Sequence, residues 1–159
     1  VLNFLDNGIH SVLSDRQGVN LASGGDVELG YLVQLAGYDV WWDHRLEFYH
    51  RMSAERLTWE YYIRLKSSIA SGSGLLFPYQ HLLNGKTRST MIYLFNYVTR
   101  MLVSSLLFIK YNFLFYFRIN QRSLESQLAL KIFQSGCLSY YRNIFRSVRQ
   151  FRALKSFLQ

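Results

Sequence analysis

Beyond residue 74 the chain carries almost no turn chemistry, and this narrows its fold more than any other feature. The single proline is Pro78, and the other breaks are Asn84-Gly85 and Gly136. With so few breakers, the remainder reads as long helices. A helix buries its apolar stripe only against another element, so 159 residues, half of them hydrophobic, point to one packed core. A disordered tail and a repeat solenoid are excluded on the same ground. In the last helix Ile144, Val148, Phe151, Leu154 and Leu158 share one face, and Arg142, Arg146 and Arg149 share the opposite one. The most apolar part, Met91 to Phe117, is interrupted by Arg100 and Lys110 with nine residues between them. A membrane span needs about 20 predominantly apolar residues, so this stretch is not read as transmembrane.

The first half is punctuated differently. Leu29, Leu32, Val33 and Ala36 recur at helical spacing after Gly24-Gly25, and Gly37 supplies a stop. Tyr38, Val40 and Trp42 then alternate with polar or opposite-facing neighbours, as do Leu46, Phe48 and His50, which predicts two short strands. Ser53 as N-cap, with Leu57, Tyr61 and Leu65 at four-residue spacing, predicts a helix over 54–66. Residues 67–74, Ser-Ser-Ile-Ala-Ser-Gly-Ser-Gly, read as a flexible linker. The expected organisation is thus 1–66, a linker over 67–74, and a helical segment over 75–159.

Charge divides at nearly the same place. Residues 1–60 hold nine of the ten acids against four arginines, a net −5, whereas the rest hold Glu125 alone against fourteen Lys and Arg, a net +13. A uniformly basic nucleic-acid binder would not gather its carboxylates at one end, and no nucleic-acid module is visible, so nucleic acid is not an expected partner. Cys137 is the sole cysteine, which rules out an intramolecular disulfide and suits a reducing, cytoplasmic compartment. No export signal follows Val1, and the start without methionine leads us to expect the later part of a longer protein.

Ser23-Gly24-Gly25-Asp26-Val27-Glu28 places two carboxylates at the mouth of a helix. One reading is structural: Ser23 and Asp26 match a capping box, and acids in a first turn are favoured by orphan N–H groups and the helix dipole. The other is chemical, because glycines allow close approach and a carboxylate there can take a proton.

The order of neighbouring segments adds weight to the second. Gly24-Gly25-Asp26-Val27-Glu28-Leu29, then Leu35-Ala36-Gly37-Tyr38, then Trp41-Trp42-Asp43, then His50, then Glu55-Arg56-Leu57-Thr58-Trp59-Glu60-Tyr61 together resemble the acceptor-side part of family 2 glycosyltransferases of GT-A fold. The resemblance covers about residues 10–66. Gly25 stands where many members have a second acid, and His44 where a proline is common.

The resemblance implies a fold that is mainly α with a small α/β portion: the C-terminal fragment of a GT-A, Rossmann-like enzyme followed by helices. It implies sugar transfer from a nucleotide-sugar donor to a glycan or lipid-linked acceptor by inverting displacement. Asp26 matches the general base and Glu28 its support; Trp41, Trp42 and Trp59 are candidates for stacking on sugar faces. His50 is the candidate to approach a divalent Mg or Mn ion. No Asp-x-Asp motif occurs in the 159 residues, so the donor half is expected elsewhere and this chain alone is expected to be inactive.

For the helical half two readings stand. Arg142, Arg146 and Arg149 meet an anionic membrane at its cytoplasmic face while the apolar side enters the boundary, or that apolar side packs into a bundle and the arginines face water. A non-catalytic membrane-surface or protein-interaction module is the competing function class.

Overall fold

The computed structural model describes residue 13 and residues 24–85, 88–117 and 123–158. Among them the ordered elements are helical: α1 (Gly25–Leu35), a 3-10 turn (Ala54–Leu57), α2 (Trp59–Ser71), α3 (Ser73–Leu83), α4 (Thr90–Phe117) and α5 (Leu124–Phe157). The helical second half is as expected. The α/β portion is not: no strand occurs among the described residues, and the Rossmann-like GT-A expectation is overturned there. Residues 38–53 run without regular structure and almost wholly exposed. Their period-2 pattern identifies a strand only where a neighbouring strand takes up the backbone groups, and the described residues offer no such neighbour.

Gly24 stands at the N-cap of α1 with a φ of 135° that a side chain would strain, and a Cβ there would stand 2.8 Å from Leu13 Cδ1. Ser23, the expected cap, lies outside the described residues. Gly37, with φ 88°, ends the helix as expected, its N–H donating to the Gln34 carbonyl at 3.0 Å. The next helix starts later than predicted, because Thr58 rather than Ser53 caps it, accepting from the Tyr61 N–H at 3.3 Å.

Ser67–Gly74 is not a flexible connection. It completes α2, turns at Gly72 and opens α3. Its small residues serve close packing: the Gly74 N–H donates to Ser139 Oγ at 3.0 Å, and a Cβ on Gly74 would lie 2.8 Å from the Ser139 carbonyl oxygen. Glycine here lets α3 touch the backbone of α5.

α5 is the central element, packed against α2, α3 and α4. One core cluster joins Leu32 of α1, Tyr79 of α3 and Leu154 of α5, so the acidic and basic halves share an interior. The second joins Phe77, Tyr93, Tyr97 and Phe151, with Tyr93 stacked on Phe151 at 4.0 Å between ring centroids. Tyr93 bonds Ser147, and Tyr97 donates to the Tyr140 carbonyl, which sets α4 antiparallel to α5. Ile144, Val148, Phe151 and Leu154 therefore pack inward, and Arg142, Arg146 and Arg149 stand outside.

α4 runs 28 residues and is long and apolar enough to cross a membrane by length and composition; only 11% of its most apolar 18-residue window is buried. Arg100 and Lys110 do not shorten it. At about 100° per residue, Arg100 lies on the side opposite the exposed apolar stripe.

Candidate functional site

The two acids of α1 have separate fates. Glu28 points into the bundle, 1% exposed, where its carboxylate accepts from the Tyr79 hydroxyl and from the Leu13 N–H at 3.0 Å. The Tyr79 oxygen in turn accepts from Gln150 Nε2 at 2.7 Å, so one chain of polar groups links α1, α3 and α5. Burial, followed by the neighbouring Glu28 carboxylate, pushes the Tyr79 hydroxyl far above the ordinary tyrosine range. The phenol stays protonated and keeps donating to Glu28.

Asp26 faces solvent, its Oδ1 accepting from the adjacent Val27 N–H at 2.9 Å. Beside this carboxylate the helix offers Gly30, where an added Cβ would meet nothing within 4 Å. A buried carboxylate thus holds the first turn in place and an exposed one is presented at its mouth.

The other predicted residues do not converge on Asp26 as one enclosed site. Trp41 and Trp42 are each 85% exposed on the irregular segment. Asp43 and Arg45 form an exposed ion pair at 2.6 Å, in which the guanidinium lowers the carboxyl below its usual range. Trp59 is half-buried in the first turn of α2, tilted against Tyr62 at 5.4 Å between centroids. His50 is exposed in the irregular segment. Among the described residues no group of three or more His, Cys, Asp or Glu is placed to hold a metal ion.

Sequence reasoning missed Tyr79, which meets Glu28 from 51 positions along the chain, and Gln150, a further 71 positions on, which backs Tyr79. No local pattern marks them. It also missed an open cleft of about 210 Å³ between α2, α4 and α5, lined by Arg100, Ser104, Phe133 and Tyr140 among others. The exposed stripe of α4 carried a signal that was legible, the spacing of Phe95, Leu102, Leu106, Ile109 and Phe113. The chain matches no protein-family model, no curated protein and no solved structure.

Proposed function

We propose that this chain supplies the acceptor side of an inverting glycosyltransferase, with Asp26 as general base. The observation that carries the reading is the division between the two acids of a motif that resembles family 2 glycosyltransferases: Glu28 locked into the core, Asp26 left open two residues earlier. In the reaction the acceptor hydroxyl gives its proton to an Asp26 carboxylate oxygen. The freed oxygen attacks the anomeric carbon of a nucleotide sugar, and the bond from that carbon to the diphosphate oxygen breaks with inversion. The nucleoside diphosphate leaves with the bonding electrons.

Glu28 is a positioning residue in this scheme, since it touches Tyr79 and Leu13 rather than the reacting atoms. Trp41 and Trp42 offer exposed rings on which an acceptor sugar can stack. The lipid-linked or glycan acceptor is met at the cytoplasmic face of the membrane.

The test is sugar transfer by the whole enzyme carrying Asp26→Asn. The side chain is exposed, so folding is retained, and the expected loss is about 10²- to 10⁴-fold in kcat. Near-complete retention of transfer in the folded variant rejects the base assignment.

A further inference from the structure

α4 carries an uncovered seam with the period of a coiled coil. Between Ile92 and Tyr116 its most exposed apolar side chains are Phe95, Leu102, Leu106, Ile109, Phe113 and Tyr116, open by between 54% and 72%. Their spacing places Phe95, Leu102, Ile109 and Tyr116 at the d positions of a heptad, and Leu106 and Phe113 at a. Ile92 and Thr99, both exposed, fill the two remaining a positions. The repeat is sustained for about three and a half heptads.

The seam faces directly away from α5. Tyr93, Tyr97 and Tyr111, which meet α5, sit at b and f, on the far side of the helix from a and d. No a or d position is charged. Lys110 flanks the seam at e, and its ammonium is turned toward the Tyr111 ring, 6.0 Å from the centroid. Arg100 lies at b and lines the cleft beside α5. The Thr99 hydroxyl donates to the Phe95 carbonyl at 2.9 Å, so covering the seam leaves that donor satisfied.

We infer that this seam pairs with the same seam of a second copy, making the chain a two-fold dimer joined through α4. Period, charge and area select that occupant. A sustained a/d repeat is the stripe that another helix covers. A helix lying in a bilayer boundary instead carries a strongly charged opposite face, and the opposite face of α4 is packed on α5 through tyrosines. An uncharged seam offers nothing to a partner chosen by charge, whereas an identical seam matches it in length and chemistry, as a two-fold interface requires. At roughly 100 Å² of open surface for each side chain, the eight positions present about 800 Å², which is what each partner gives to an interface of standard size.

Pairing through α4 puts the two α4 helices at the centre and an α5 on each outer side. Arg142, Arg146 and Arg149 project from α5 on the side away from α4. The two basic rows therefore stand on opposite outer faces, roughly 30 Å apart at ordinary interhelical spacing, and salt screens them from each other. Asp26 and Glu28 lie on α1, which packs on α3, so the inference stands independently of the proposed chemistry.

The experiment is sedimentation equilibrium of the full chain, without detergent or lipid, over a hundredfold range of concentration. The expected result is twice the chain mass at about 50 μM, falling toward the single mass on dilution. Leu102→Glu with Leu106→Glu should give the single mass throughout, with helical circular dichroism retained because both side chains are exposed. Leu106→Asn, a milder change at an a position, should weaken the dimer by about tenfold or more and keeps the test decisive if the double variant loses helix. Asp26→Asn, and reversal of Arg142, Arg146 and Arg149 to Glu, should leave the doubled mass in place. A single mass for the parent at every concentration overturns the inference, as does a doubled mass that the seam variants retain. Masses that climb past two without limit overturn the two-fold pairing. A monomeric parent that floats with phosphatidylcholine vesicles assigns the seam to lipid instead.

Discussion

Glu28 and Asp26 stand two positions apart in one helical turn, and the difference between them comes from what meets each side chain. Glu28 meets Tyr79, which Gln150 backs from α5, so removal of the phenol hydroxyl takes away a buried donor to the carboxylate and the acceptor for Gln150 at once. Tyr79→Phe should cost about 1–3 kcal/mol, read as a lowered urea midpoint with an unchanged slope. Gly74 is the second residue whose role is set by a neighbour distant in sequence. Gly74→Ala would force its Cβ onto the Ser139 backbone, and the expected cost is about 1–3 kcal/mol, measured the same way. The acids were legible as a pair at a helix start, because their spacing and the glycines before them are local. Which acid would be buried was not, since Tyr79 and Gln150 reach the site only through tertiary packing. Gly74 was misread for the same reason: glycine and serine permit both a loose chain and a close helix contact, and composition does not separate the two.

The helices show how far periodicity carries. α1 and its Gly37 stop follow from local spacing, and the inward face of α5 follows from Ile144, Val148, Phe151 and Leu154. The two expected strands failed because alternation over 38–51 describes one chain, whereas a sheet requires a partner. Arg100 and Lys110 interrupt Met91–Phe117 along the sequence, but around the helix Arg100 is turned away from the stripe and lines the cleft. The connection over 67–74 gives a direct check at this scale. Ser71 ends α2 and Gly72 is the single residue before α3, and Ser139 Oγ donates to the Ser71 carbonyl at 2.5 Å. Limited proteolysis by a broad-specificity protease should therefore spare residues 67–74 and cut first in the exposed 38–53 segment. Primary cleavage within 67–74 would restore the flexible-linker reading.

At the scale of the whole molecule the net charge of +8 describes neither half, yet the two halves are joined by one interior rich in tyrosine. Tyr79, Tyr93 and Tyr97 are each raised above the ordinary phenol range, with burial the largest cause. The unfolded chain releases these protons near its ordinary value of about 10, while the folded chain keeps them. Above that pH the unfolded state binds fewer protons than the native one, so stability must fall as pH rises; below it both states are protonated and the full stability is present. The expected slope is up to about 1.4 kcal/mol per pH unit for each protected tyrosine, and three acting together would unfold a marginally stable chain within one or two units. Urea midpoints should accordingly be flat up to about pH 9 and drop steeply above about pH 10, with loss of helical circular dichroism. Tyr93→Phe loses its bond to Ser147 but also removes one titrating group, so it should start lower and fall with a shallower slope. Tyrosinate absorbance that is lower in Tyr93→Phe than in the parent while the helices of both persist would mean that this phenol is reached by hydroxide in the folded state, and that the core joining the two halves is more open than Tyr93 stacked on Phe151 requires.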